Sequence, residues 1–286
     1  MAHWDTVVIV GVGLIGGSIG LDLRAKKLAK RIVGVGRRAA SLKAALAAGC
    51  VTETTTRPDK AAAEADLIIV CTPVGRIVDD VKAAAAVCKP GTLITDVGST
   101  KGSIVAQLSQ TALPRDVIFI GSHPLAGSEK HGPTAAVRDL FRDRVVIVTP
   151  IETTPKKPLR EIETLWKELG ARVVRMDPAE HDRALAATSH VPHLVASALA
   201  GATPEPYLGL TGGGWLDTTR IAASDGSLWA QIFDDNREQV LAALGGVEAS
   251  LAAFRQAIER RDAVQLQQLW EAGRKHRDAL NKKKKK

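Results

Sequence analysis

Several short segments combine residue types that could do chemistry, and the first is Gly11-Val-Gly13-Leu14-Ile15-Gly16-Gly17-Ser18. It follows the β-branched run Thr6 to Val10 and opens an apolar helix. In such a turn the first glycine permits the tight bend and the second lets backbone approach a pyrophosphate. The third lets helix pack on strand, and the helix N-terminus offers free N–H groups to phosphate. In this context the motif reads as a dinucleotide site rather than as a merely tight strand-to-helix turn, with Gly11, Gly13, Leu14, Ile15 and Gly16 expected at the cofactor. Twenty residues after Gly16, where an acid would hold the adenosine ribose, stands Gly36, followed by Arg37 and Arg38. Two guanidiniums without a carboxylate suit a 2′-phosphate and favour NADP over NAD; the same pair would also serve as solvated arginines closing a strand.

Ligands of open α/β sheets bind beyond the carboxyl ends of the strands, so the loops there should hold the functional groups. Thr72-Pro73 follows a strand ending at Cys71, and Asp96-Val-Gly-Ser99-Thr-Lys101 follows one ending near Thr95. Gly121-Ser-His123-Pro-Leu-Ala-Gly-Ser128-Glu129 follows one ending at Ile120. Thr72 and Pro73 are expected at the cofactor, while the Ser99 hydroxyl and the His123 imidazole converge near the nicotinamide. A lone histidine is more often structural; its glycine, proline and serine neighbours at a strand's carboxyl end favour the catalytic reading here.

Farther along, Ser189-His190-Val-Pro192-His193 interrupts an apolar helix. Proline there removes an N–H and frees the carbonyl of Thr188, so a kink lining a cleft is expected. Two histidines three apart could suggest a metal, but no third ligand stands at a plausible spacing, and a substrate contact is the reading adopted. Gly212-Gly-Gly-Trp215-Leu-Asp217-Thr-Thr-Arg220 precedes Ser224-Asp225. Arg220, beside glycines and threonines, reads as a bidentate carboxylate clamp, and Ser224 or Asp225 as a helix N-cap.

The elements that must position these groups are legible as alternation. Strands are expected near 6–10, 31–35, 66–71, 92–95, 117–120, 145–149 and 172–176, separated by helical stretches, the pattern of a parallel sheet covered on both faces. Asp66 to Cys71 and Val145 to Val148 are continuously apolar, as central strands buried on both sides should be. After Met176, Asp177-Pro178-Ala179-Glu180 starts a helix with an N-cap and an N1 proline, and no convincing strand follows. Val240, Leu244, Val247, Leu251, Phe254 and Ile258 form one helical stripe, suited to packing in its own domain or to a dimer surface. Gly245 and Gly246 interrupt it, so either the helix breaks there or another backbone comes close. The expected fold class is therefore α/β, a doubly wound, mostly parallel Rossmann-type sheet over 1–177, then an all-helical substrate and dimerisation domain over 178–281 and a disordered lysine tail over 282–286.

Composition narrows the function. The formal charge of +8 includes the run Lys282 to Lys286, without which 34 basic residues face 31 acidic ones. Aromatics are 3% of the chain and do not alternate with basic residues, so no nucleic-acid partner is expected. Cys50, Cys71 and Cys88 form no CxxC pair, which fits a reducing compartment and no structural zinc. The N-terminal run Thr6 to Val10 is too short for a signal core or a membrane span and no later apolar run approaches about 18 residues, so a soluble, cytoplasmic chain without membrane contact is expected.

Together, Gly11 to Ser18, Asp96 to Lys101, Gly121 to Glu129, Ser189 to His193 and Asp217-Thr-Thr-Arg220 resemble, in order and over nearly the whole chain, the prephenate and arogenate dehydrogenase family. The resemblance implies a Rossmann domain followed by a helical dimerisation domain, hence a homodimer. It implies that His123 is the catalytic histidine and that Ser99 orients it and the substrate hydroxyl. His193 and Arg220 match substrate-binding positions, with Arg220 the carboxylate anchor, and Ser128, Glu129, Asp217 and His190 fall in the same motifs. The implied reaction is NAD(P)-dependent oxidative decarboxylation of prephenate to 4-hydroxyphenylpyruvate, in tyrosine biosynthesis. Members preferring arogenate resemble this chain less at the second histidine; many NAD-preferring members carry an acid where this chain has Gly36. A two-domain β-hydroxyacid or imine dehydrogenase would leave the His123 loop without a task, and an NAD(P)H-sensing regulator would need an effector domain that the sequence does not show.

Overall fold

The β-branched runs pair into one eight-stranded sheet in the order β3-β2-β1-β4-β5-β6-β7-β8. The computed structural model describes residues 4–111, 113–114, 116–127 and 130–284. The strands are β1 (Trp4–Val10), β2 (Ala29–Val35), β3 (Glu53–Thr55), β4 (Leu67–Val70), β5 (Leu93–Asp96), β6 (Ile118–Pro124), β7 (Val145–Thr149) and β8 (Arg172–Arg175). Between them lie α1 (Leu14–Ala25), α2 (Ala39–Ala47), α3 (Pro58–Ala63), α4 (Val74–Ala85), α5 (Gly102–Ser109) and α6 (Lys156–Glu168). All neighbouring strands are parallel except β6 and β7. The order reverses between β1 and β4, which puts the crevice of a doubly wound sheet beyond their carboxyl ends.

Alternate residues of each strand serve opposite layers. Val7, Ile9, Ile32, Leu67 and Ile69 pack with Ile19 and Leu23 of α1 and with Ile162, Leu165 and Trp166 of α6. Val8, Val33, Ile68, Val70 and Ile94 face the other way, onto Ile77 and Val81 of α4 and Ile104 and Leu108 of α5. Burying both faces requires continuous apolar runs, as Leu67 to Val70 illustrates: all four residues are fully buried.

Two strand features depart from expectation. Glu53–Thr55 is an added edge strand pairing with β2, too short and polar to carry a period. The strand expected to end at Ile120 continues to Pro124, because at Gly121 it exchanges β5 as its partner for antiparallel β7. Seryl, histidyl and prolyl residues that read as a loop are thereby a strand, with His123 opposite Ile147.

After β8 every regular element among the described residues is helical: α7 (Pro178–Leu185), a π-helical turn (Ala186–His190), α8 (Val191–Ala202), α9 (Gly213–Thr219), α10 (Gly226–Asp235), α11 (Arg237–Glu259) and α12 (Ala263–Lys284). Asp177 caps α7 by accepting from the N–H groups of Ala179 and Glu180 at 2.9 and 3.2 Å, a contribution of about 1 kcal/mol. The chain divides into compact units after Arg237 rather than where the sheet ends, since α7 packs on α5 and α10 on α4. In the second unit α11 runs unbroken through Gly245 and Gly246, where an added Cβ would meet nothing within 4 Å. Leu251 and Ile258 of its stripe are exposed, as is Leu241 beside it. Helix α12 continues through Lys284, beyond the expected start of the lysine tail at 282; lysine is a good helix former and a cation is favoured at a helix C-terminus.

Candidate active site

Two cavities open at the carboxyl edge of the sheet. One, of about 670 Å³, is lined by Gly11, Gly13, Gly36, Arg37, Arg38, Thr72, Pro73 and Arg76 among others. Gly11 has φ +94°, and a Cβ there would lie 2.7 Å from the Cys71 carbonyl oxygen; a Cβ on Gly16 would lie 2.3 Å from that of Gly11. Only glycine permits this close packing. At Gly13 an added Cβ would meet nothing within 4 Å, so the bend leaves open room beside the N-terminus of α1. Gly13 is the N-cap there, and Leu14, Ile15 and Gly16 supply the first-turn N–H groups that have no carbonyl within the helix. The cradle fits a dinucleotide pyrophosphate. Arg37 and Arg38 are exposed and form no ion pair among the described residues, whereas Arg76 is tied to Asp80 at 3.1 Å and the Thr72 hydroxyl donates to the same carboxylate at 2.7 Å.

The second cavity, of about 590 Å³, is lined by Ser99, His123, His190, His193, Arg220 and Trp229 among others. Its inner wall is assembled by strand alternation. Ser122 points to the α6 side, where its hydroxyl accepts from Trp166 Nε1 at 3.1 Å and shares a 2.8 Å bond with Thr95. His123 therefore points to the other side, under α7. There its Nδ1 lies 2.9 Å from Nε2 of His181, whose Nδ1 lies 2.7 Å from Oδ1 of Asp182. That carboxylate also accepts from the backbone N–H groups of Lys101 and Gly102 at 2.8 and 2.7 Å. Beneath it a fully buried Lys101 ammonium pairs with a fully buried Asp96 carboxylate, which in turn accepts from the N–H groups of Gly98 and Ser122.

Burial, then the neighbouring His181, Lys101 and His190, holds the His123 pKa well below the usual imidazole value. Burial alone would raise the Asp182 carboxyl, but bonds from His181, Lys101 and Gly102 outweigh it and the pKa falls. His190 is lowered to about 4, chiefly by burial, and Asn236 donates to its Nδ1 at 3.2 Å. All three groups are thus in defined charge states near neutrality, with both imidazoles uncharged.

The outer wall comes from the helical segments. The proline-containing stretch takes a π-helical turn over Ala186–His190 just before Pro192, an irregularity that recurs at functional sites. It carries His190 and precedes His193, whose Nδ1 donates to the Ser189 carbonyl at 2.8 Å. The His193 ring stacks on Trp229 with centroids 3.9 Å apart. Asp225, not Ser224, caps α10 by accepting from Ser227 N–H at 2.8 Å. Arg220 begins the 3₁₀ segment Arg220–Ala223, is exposed, and forms no ion pair among the described residues.

Of the residues singled out in the sequence, Ser99, His123, His190, His193 and Arg220 thus meet in one cavity, and Gly11, Gly13, Arg37, Arg38, Thr72 and Pro73 in the other. Asp217 is exposed and lines neither. Ser128 and Glu129 lie outside the described residues. Sequence reasoning missed Trp229, His131, Arg76 and the His181-Asp182 pair. The last had one available signal, two ionisable residues inside the first turns of a helix whose start was already assigned. Among the described residues no cluster of three or more His, Cys, Asp or Glu is poised to hold a metal.

Residues 19–175 match the family "Prephenate dehydrogenase, nucleotide-binding domain" and residues 177–271 match "Prephenate dehydrogenase, dimerization domain". The chain belongs to the prephenate dehydrogenase family. It is 34% identical over 283 residues to a prephenate dehydrogenase of Bacillus subtilis, covering 96% of this chain and 76% of that one. It is 37% identical over 224 residues to a cyclohexadienyl dehydrogenase of Zymomonas mobilis, covering 76% of each. A crystal structure of prephenate dehydrogenase from A. aeolicus in complex with hydroxyphenyl propionate and NAD+ superposes with a TM-score of 0.88 at 33% identity, covering 96% of this chain and 98% of that one. Membership makes this chain an NAD(P)-dependent oxidoreductase, and it agrees with the glycine turn and the two adjoining cavities.

Proposed function

We propose that the chain oxidises and decarboxylates prephenate to 4-hydroxyphenylpyruvate. The observation that carries the reading is the shared cavity: a neutral imidazole from the sheet and a guanidinium with no ion pair among the described residues face one space, whose lining residue His131 precedes Gly132 of the cavity at the glycine turn. NAD(P)+ held on that turn supplies the hydride acceptor. His123 accepts the hydrogen bond and then the proton of the C4 hydroxyl, a contribution typically of about 10²- to 10⁴-fold. Ser99, on the same wall, orients that hydroxyl. Arg220 anchors a side-chain carboxylate of the dianionic substrate through a bidentate fork, and His193, fixed by its backbone bond and by Trp229, bounds the ring. Loss of the ring carboxylate as CO2 aromatises the product and draws the reaction forward.

NADP is the favoured cofactor, because Arg37 and Arg38 stand where a ribose-binding acid would and have no anionic partner among the described residues. Prephenate is favoured over arogenate by the second histidine, His193. A homodimer through the helical domain accords with the exposed Leu241, Leu251 and Ile258. A reducing, cytoplasmic setting accords with three cysteines that form no disulfide among the described residues. The test is steady-state kinetics with prephenate and arogenate, each with NAD+ and NADP+. The expected result is the highest kcat/KM for prephenate with NADP+. Turnover of neither substrate with either cofactor would overturn the assignment.

A further inference from the structure

We propose that His181 receives the proton that His123 takes from the substrate, so that the base of the reaction is a histidine pair rather than one histidine. The inference rests on the function proposed above and extends it inward by two residues. Both rings are buried, His181 completely, and their nitrogens are 2.9 Å apart in an edge arrangement with centroids at 5.1 Å.

Hydrogen-bond capacity fixes the direction of the chain. An ionised carboxylate only accepts, and Asp182 is held by two backbone N–H groups, so the nitrogen of His181 beside it carries a proton and donates. In a neutral ring the opposite nitrogen, Nε2, then accepts. His123 must donate to it from Nδ1, which leaves the His123 lone pair on Nε2, the nitrogen not engaged by His181. The Asp182 carboxylate thus sets the tautomer of a ring it does not touch.

The charge balance explains why the proton moves on. The groups facing the pair are Asp182 on α7, the Lys101–Asp96 pair at the end of β5 and before α5, and His190 on the π-helical turn. A positive charge on His123 would sit near the Lys101 ammonium; on His181 it sits against the Asp182 carboxylate. In the step, the substrate O–H bond breaks and an N–H bond forms at His123 Nε2. The His123 Nδ1–H bond breaks and one forms at His181 Nε2. The electron pair of the substrate C4–H bond leaves as hydride to the nicotinamide. His123 ends neutral in the opposite tautomer and His181 ends as an imidazolium. The C1–carboxylate bond then breaks to give CO2, its electron pair aromatises the ring onto the C4 oxygen, and the proton returns from His181 through His123 to that oxygen, so no net proton is released.

Two measurements test this. The first is ¹⁵N-imidazole NMR of the free protein during acidification, expected to show His123 protonated on Nδ1 at neutral pH and the first proton taken up by the His123–His181 pair residing on His181. The second is the pH profile of kcat for His181→Gln and His181→Phe with prephenate. The expected result is a fall in kcat of about 10²-fold, with KM changed by less than about threefold and the acidic limb displaced to lower pH, since His123 keeps its burial and the nearby Lys101 charge but loses the carboxylate-backed partner that takes its proton. A purely structural His181 would lower activity without moving that limb. An unmoved limb, or NMR placing the first proton on His123, would overturn the proposal. Should neither variant fold, the NMR titration of the wild-type protein decides alone. Failure of the wild-type to turn over prephenate would count against the proposed function and leave the NMR result standing.

Discussion

The two walls of the proposed substrate cavity are built to different standards. On the inner wall, β6, the end of β5 and α7 bury His123, His181, Asp182, Lys101 and Asp96 and engage each with fixed partners. On the outer wall, Arg220 is exposed without an ion pair among the described residues, and His193 is half-buried against Trp229. A group that takes a proton must have its charge state and angle set before substrate arrives, which burial and hydrogen bonds accomplish. A group that grips an incoming anion must instead be reachable. The difference implies that inner-wall changes act on kcat and outer-wall changes on KM.

The largest effect that would sharpen or break this contrast is expected at the inner wall. His123→Asn should lower kcat by about 10²- to 10⁴-fold with little change in KM; a KM effect with kcat preserved would make the walls equivalent. The second concerns stability. His190 is lowered from 6.5 to about 4, so as pH falls the unfolded chain takes up its proton first. Stability is unaffected by this group above the unfolded value and is lost between pH 6.5 and about 4, by on the order of 3 kcal/mol at about 1.4 kcal/mol per unit. His123 acts in the same direction. Denaturant midpoints at both ends of that range measure it, and a flat profile would mean that His190 and His123 are not held neutral. On the outer wall, Arg220→Ala should raise KM for prephenate by about 10- to 100-fold, the equivalent of a charge-assisted hydrogen bond, with a smaller change in kcat. The smallest effect is expected for Trp229→Leu. Loss of its stacking on His193, about 0.5–1.5 kcal/mol, should raise KM by about 2- to 10-fold.

The same contrast describes what could be read in the sequence. Outer-wall groups stood out because they are out of place locally: an arginine among glycines, histidines around a proline in an apolar helix. The glycine turn and the central strands were legible for a similar reason, since their patterns are dictated by local backbone geometry and two-sided burial. On the inner wall Ser99 and His123 stood out, but how they are held did not, because that logic is long-range. His123 was expected on a loop, and only pairing with β7, more than twenty residues later, makes its segment a strand and sets the side of the sheet it faces. His181 and Asp182 look like ordinary polar residues of a helix start until α7 is laid over β6. Edge strand β3 escaped notice because three half-exposed polar residues carry no periodic signal.

The most direct test of the central claim is stoichiometry. The protein would be mixed with prephenate and NAD(P)+, and reduced nicotinamide and released CO2 measured in the same reaction. The expected result is one CO2 for each reduced cofactor. Reduced cofactor without CO2 would assign the cavity to a plain alcohol oxidation and contradict the function proposed here.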